Sequence, residues 1–401
     1  MSSFSIEMEE IKMSNTIDNY VDLRGDLSPI DFPYNEIDYL IFSELAYVHL
    51  DHIFKSQTHQ TYTLQQLYQC YHQKNQEFND EIIYNQSHFL FEKISKMPRY
   101  QNIQLIHYVN EVDKDLIKQF SAMTFLLEDQ TMVISYRGTD DDLIGWHEDF
   151  LMLCEKNIPS QISSVQYLEQ ACLYQQHVSL LQSLKNRHLG SSLWTRLKKH
   201  FLYKKNYPII LTGHSKGGHL AMYAGCFSCE SVKKRIQHIY NYDGPGFQEE
   251  LMLTDEYKQM LPSIHSYIPH YSFFGIVLGH EEDYTVVKSQ YTGMYQHDAF
   301  SWFVNTKGFI EDDLSMESVD FAIQVILFLD KLTQQEKRLF VQSMFELFDH
   351  LNLYTFSDLS HISYKTILNA IKELTFFDKK LRKMFVEVLH MLWLEARKAK
   401  R

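Results

Sequence analysis

Apolar residues along this chain recur in two periods. Short β-branched runs lie at Phe120–Leu127, Thr131–Arg137, Pro208–Thr212, Ile236–Asn241, Ile264–Ile268 and Tyr284–Lys288. Runs of that length bounded by turn residues predict strands of a buried sheet. The first two flank Glu128-Asp129-Gln130 and predict an antiparallel pair. Elsewhere the spacing is helical: Ile37, Leu40, Ile41, Leu45 and Ala46 share one face within residues 31–52. Thr63 with Gln66 makes a capping box for a helix running to about Lys74. Asp80–Met97 reads as a further helix, and Asn102–Asn110 fits either state.

Residues 150–205 are helical and polar, with a Lys/Arg-rich end at Lys185–Lys205. Beyond Asp313 the chain is helical throughout. Val319, Ala322, Ile323, Ile326 and Leu327 make one face, Thr333 and Glu336 cap the next helix, and Leu381, Met384, Phe385, Val388, Leu389, Leu392 and Ala396 line the last. The expected organisation is a polar, disordered 1–18, one α/β domain over 19–304, and a helical extension over 305–401 packed on the core. Order is expected from around Tyr20, and Met13 is an alternative start.

At 401 residues the chain can bury a large core. Its net charge of −13 argues against nucleic-acid binding, which needs a basic surface. Residues 305–401 carry 14 basic and 14 acidic groups, so the acidic excess lies before them. Within 365–401 the balance is 10 basic to 4 acidic. Such a tail fits a peripheral membrane contact, but packing on the core is the preferred reading. The five cysteines are scattered, with one C-x-x-C at Cys226 and Cys229 and no second pair for zinc. They predict inert core thiols in a cytoplasmic protein. The N-terminus has no apolar signal segment, and no run approaches a membrane span. No cofactor or metal is expected, and Asp140-Asp141-Asp142 reads as a solvated acidic loop.

The chemistry centres on Asn206–Ala224. The Pro208–Thr212 strand runs into Gly213-His214-Ser215-Lys216-Gly217 and then a small-residue helix start. Strand, G-x-S-x-G turn and helix make the context of a nucleophile elbow, where a strained turn lifts the serine hydroxyl clear of the sheet. The helix N-terminus behind it favours developing negative charge.

Around this elbow the chain resembles class 3 lipases. Arg137-Gly138-Thr139, Trp146 and Asp149 are similar to that family's F-R-G-T/S…W…D segment, and Gly213–Gly218 to its G-H-S-L-G-G elbow, with Lys216 where Leu is usual. The likeness is nearest to a bacterial lipase-like branch carrying Y-R-G-T, G-H-S-K-G-G, D-G-P-G-F, H-E-E-D-Y and Q-H-D-x-F-S-W, and it covers about Phe120–Trp302. It implies an α/β-hydrolase core with a mostly parallel sheet, and oxyanion donors at the backbone N–H groups of Thr139 and Lys216. For a backbone donor the Leu-to-Lys change is of little consequence. The resemblance also implies a lid over residues 143–160, whose Leu143, Ile144, Trp146, Phe150, Leu151 and Leu153 exceed what a loop can hide.

A serine hydroxyl needs a base, and His297 stands after the last strand, where α/β-hydrolases keep theirs; His214, His270 and His280 compete. Three positions compete for the acid. Ser272 stands where class 3 lipases carry Asp. Asp283 precedes the last strand. Asp243 ends the strand after the elbow helix, in Asp243-Gly244-Pro245-Gly246, and is preferred, with Asp283 as the alternative. The expected function is hydrolysis of carboxylic esters, acylglycerol- or phospholipid-like, through a Ser-His-Asp acyl-enzyme. The alternative is a non-catalytic lipase-like fold that binds a lipid or protein partner.

Overall fold

The computed structural model describes residues 15–54, 61–78, 86–185 and 207–355, with isolated positions at 358, 361–363, 365, 366, 369 and 386. The basic stretch of 185–205 after its first residue, and the expected last helix apart from position 386, lie outside them.

Eight strands form one sheet in chain order: β1 (Tyr62–Thr63), β2 (Gln104–Asp113), β3 (Lys118–Leu126), β4 (Met132–Tyr136), β5 (Ile209–His214), β6 (Ile236–Tyr242), β7 (Ile264–Pro269) and β8 (Tyr284–Val287). The first three pairings are antiparallel and the last four parallel. The ambiguous 102–110 is β2, settled by nine residue pairs with β3 that a helix could not make.

Both faces are covered, because alternate side chains of a strand point opposite ways. Ile209 and Leu211 of β5 join one core cluster with Met132, Ile134 and Tyr136. Ile210 faces the other, with Val133, Met123 and Phe125. The first cluster packs under α6 (Pro159–Lys185) and α7 (Lys216–Phe227). The second packs under α1 (Ile17–Arg24), α2 (Glu36–Leu45), α3 (Leu64–Phe78) and α4 (Gln86–Ile94). A mostly parallel sheet between helical layers, with a sharp strand-to-helix turn after β5, is an α/β-hydrolase fold.

Two boundaries move. Residues 16–19, expected to fall before the ordered chain, are part of it: Ile17 is fully buried and Thr16 caps α1 in a capping box with Asn19. The expected break after 304 falls inside a paired segment: Phe303 N donates to Lys288 O (2.8 Å) and Asp312 N to Val286 O (3.0 Å). Residues 303–312 therefore extend the edge of the sheet, and Phe309 joins the core. The helices beyond are α8 (Met316–Leu329) and α9 (Gln334–His350), the latter capped by Thr333 and Glu336 as expected. Of the C-x-x-C pair, Cys226 is buried but Cys229 is exposed, so only the first is a core thiol.

Candidate active site

At the C-terminal end of β5 the chain turns through Ser215 with φ 58° and ψ −133°, a left-handed conformation that a side chain resists. The turn is tight because β5 meets α7 at once. A methyl on Gly213 would strike the Gly217 backbone, and one on Gly217 the Tyr136 carbonyl. From Ile209 to Cys226 only Ser215 is not buried. The Arg137-Gly138-Thr139 loop after β4 passes beside it: a methyl on Gly138 would lie 3.1 Å from Ser215 Cβ.

One strand over, Ser215 N donates to Tyr242 O (2.8 Å), placing the end of β6 against the elbow. The next residue, Asp243, is fully buried with φ 51°. Its Oδ2 lies 2.6 Å from His297 Nδ1. Its Oδ1 accepts from Gly275 N (3.1 Å) and from Ser272 Oγ. Ser272, at the position of the family's acid, thus serves as a donor to a carboxylate on the neighbouring strand. Burial pushes the His297 imidazole below its ordinary value, and the Asp243 carboxylate pulls against that shift. Phe274 packs on the same ring at 4.3 Å. Trp302 Nε1 donates to Gln296 O (2.7 Å), fixing the backbone just before it.

Asp283 lies elsewhere. It is exposed and immediately precedes β8, at the N-terminal edge of the parallel strands, whereas Ser215 and Asp243 follow the C-terminal ends of theirs. Its neighbour Glu282 is the buried one, taken up by Tyr257, Ser266 and His280. His280 is therefore engaged there, and His270 lies 3.7 Å from Asp312. His214 packs against His297, with ring centroids 4.7 Å apart.

The Lys216 side chain has a place the sequence did not reveal. It is 1 % exposed and lies 3.2 Å from Glu148 Oε2 and 3.6 Å from Asp149 Oδ1. Both carboxylates belong to α5 (Leu143–Leu151). Glu148 also accepts from Gln119 N, Ser160 N and Ser160 Oγ at 2.7–3.0 Å. Asp149 accepts from Thr139 Oγ1 at 2.5 Å. One buried ammonium therefore ties the elbow, α5 and the Thr139 loop together. Burial alone would push that ammonium down, but Asp149 and Glu148 outweigh it and hold it above its ordinary value. Burial pushes the Asp149 carboxyl up to about 6 against the pull of Lys216. A charged residue among the small and apolar residues of the elbow was the only signal in the sequence.

The outer face of α5 is held too. His147 stacks on Phe345 of α9 at 4.1 Å, Leu143 N donates to Tyr354 O (3.0 Å), and Arg338 Nε lies 2.6 Å from Glu155 beyond the helix. Over Leu143–Leu151 the expected lid is a helix with contacts on both sides. Asp142 caps it by accepting from Ile144 N, and Asp140 accepts from Gln119 and from Asp142 N, so the acidic run is partly engaged rather than wholly solvated. Native-state hydrogen exchange should show α5 amides protected about as well as those of α7, with no further change on covalent acylation. Fast exchange that slows on acylation would restore the lid.

Residues 94–346 match the family described as Mbeg1-like, which is more than half of the chain. The chain belongs to the Mbeg1-like family. No curated protein matches it. Among solved structures it is similar to lipase II from Rhizopus niveus, at 13 % identity over 71 % of this chain and 90 % of that one, with a TM-score of 0.33. The Rhizomucor miehei lipase propeptide complex follows at 14 % identity over 55 % and 65 %, TM-score 0.30. M37 lipase matches at 12 % identity over 60 % and 69 %, TM-score 0.32. Overlaps this slight do not bear on the chemistry. In this Mbeg1-like chain, no group of three or more His, Cys, Asp or Glu among the described residues is placed to hold a metal ion. No described helix is long and apolar enough to cross a membrane.

Proposed function

We propose that this chain is a serine hydrolase acting on carboxylic esters of lipid type, through an acyl-enzyme on Ser215. The observation that carries the reading is the strained Ser215 beside a buried Asp243 whose carboxylate holds His297 Nδ1 at 2.6 Å. A carboxylate there keeps the Nδ1 proton in place and leaves Nε2 free to act as a base. His297 Nε2 takes the Ser215 proton as Oγ bonds to the ester carbonyl carbon. It returns that proton to the leaving alcohol as the acyl-enzyme forms, and water then repeats the cycle in reverse. The Thr139 and Lys216 N–H groups hold the oxyanion, each worth about 3–4 kcal/mol to the transition state. Lys216 N–H suits this role as the first residue of α7, where the first N–H groups of a helix lack intrahelical acceptors. Phe274 on the His297 ring, with Trp146 and Phe273 packed against it, suits an apolar acyl chain.

A second reading, a non-catalytic lipase-like fold that binds a lipid or protein partner, draws on the clasped α5. On the hydrolase reading the substrate is a lipid or small ester, without nucleic acid, and the basic tail remains the candidate for peripheral membrane contact. Five free cysteines fit a reducing, cytoplasmic location.

A fluorophosphonate probe should label the protein at Ser215, located by mass spectrometry of the adduct. Ser215→Ala should lose both the label and p-nitrophenyl ester turnover while keeping its circular dichroism spectrum. Full turnover by a clean Ser215→Ala preparation would remove the nucleophile, and an unlabelled native protein would favour the binding fold.

A further inference from the structure

Behind His297 lies a second histidine whose two ring nitrogens both face oxygen acceptors. His214 Nε2 is 2.8 Å from the backbone carbonyl of His297. A carbonyl only accepts, so Nε2 carries a proton. His214 Nδ1 is 3.2 Å from Glu44 Oε1, and both side chains are more than nine-tenths buried. Glu44 Oε1 makes no hydrogen bond of ordinary geometry, and its only ion-pair partner among the described residues is His214. A neutral ring with its proton on Nε2 would aim the Nδ1 lone pair at a buried carboxylate that has no other cation. Proton on both nitrogens removes that repulsion and gives the buried carboxylate its counter-charge.

We propose that Glu44 holds His214 as an imidazolium, and that this buried cation acts as a positioning residue that anchors the His297 backbone and keeps the resting His297 neutral. The inference rests on the hydrolase reading for its catalytic consequence, but the charge on His214 stands apart from it. The groups facing His214 come from four places: Glu44 at the end of α2 and Tyr47 just after it, Asp243 after β6, and His297 with Asp298 in the loop after β8. The Tyr47 hydroxyl is hydrogen-bonded to Nδ1 at 3.5 Å, as acceptor to a charged ring or donor to a neutral one, and Trp302 meets the ring edge-on, so neither adds a formal charge. Burial alone would push the His214 imidazole down, and Glu44 overcomes it, leaving it above its ordinary value. The consequence for His297 follows from sign. A cation 4.7 Å away disfavours a second imidazolium, so His297 stays a free base to lower pH. Once His297 has taken the serine proton, the same repulsion favours passing it on to the leaving alcohol.

Glu44→Gln keeps the shape and removes the counter-charge, so His214 becomes neutral in the working range. Losing the His214 charge raises the His297 value while losing the Glu44 carboxylate, which pulls it up, lowers it, so the acid limb of kcat/KM should then move to higher pH only by about a few tenths of a unit. His214→Gln, which retains an N–H donor for the His297 carbonyl and leaves the Glu44 carboxylate in place, should move it in the same direction and further, by about half a unit to one unit. A purely structural pair would lower the plateau and leave the limb where it is, and that result would overturn the proposal. Proton–nitrogen spectra of the histidine-labelled full chain should give two ring N–H signals for His214 from pH 6 to 8. A single tautomer in the unaltered protein at pH 7 overturns the proposal whether or not either variant folds. Absence of ester turnover with a doubly protonated His214 would count against the hydrolase reading alone.

Discussion

Asp243→Asn should lower kcat by about 10⁴ while leaving the fold and the substrate KM nearly unchanged. The size follows from how the carboxylate is held. Ser272 Oγ and Gly275 N both donate to Oδ1, so in the variant the amide oxygen must occupy that position. The amide NH₂ is then forced toward His297 Nδ1, which can accept from it only by giving up its own proton. That proton moves to Nε2, where the ring must instead have a free lone pair for Ser215. Because both donors fix the amide's orientation, the variant has no flipped form in which the oxygen serves His297. Asp283→Asn, at an exposed position on the far edge of the sheet, should be silent. A crippled Asp283→Asn beside a nearly active Asp243→Asn would return the acid to the alternative position. The measurement is steady-state turnover of a p-nitrophenyl ester, with unfolding midpoints checked in parallel.

Lys216→Met should cost about 3–5 kcal/mol of stability, far more than an ordinary elbow substitution. It leaves Glu148 and Asp149 buried without the cation between them. The pH dependence separates this cause from simple misfit. Burial raises the folded Asp149 carboxyl above its unfolded value, to about 6. A group so raised contributes stability that is full below the unfolded value and is lost as pH rises through the folded one. Without Lys216 the Asp149 carboxyl stays protonated to still higher pH in the folded chain, so that loss deepens toward neutrality. The deficit of the variant should therefore be small near pH 5 and largest near pH 8. Urea unfolding at the two pH values reads it directly, and equal deficits would show that the ammonium charge is not what matters. Because Asp149 also accepts from Thr139, the variant should loosen the oxyanion loop as well.

Some of this was written in the sequence. The elbow is legible because its parts are contiguous: a β-branched run, glycines where backbone meets backbone, and a small-residue helix start, all within Pro208–Ala224. The capping boxes at Thr63/Gln66 and Thr333/Glu336 are legible for the same reason, since each partner lies three residues from the other. The β3–β4 pair follows from two short apolar runs and the turn between them. The extent of β2 does not, because its residues suit either state until β3 lies beside them.

Which carboxylate faces His297 was only a preference in the sequence, because Asp243 and Asp283 both adjoin strands of the same sheet. Only the strand directions put one at the C-terminal edge with Ser215 and the other at the opposite edge. Ser272 as a donor to that carboxylate depends on β6 and β7 being neighbours. Lys216 gave no hint of its partners, 68 and 67 residues earlier in the chain, and Glu44 none of His214, which follows it by 170. A buried charge must find its counter-charge wherever the fold brings one, and sequence separation carries no information about that meeting. The same holds for α5, whose apolar pattern suggests a cover free to move. Glu148 on its inner side meets Lys216 and His147 on its outer side stacks on Phe345, and both contacts exist only after the chain has closed.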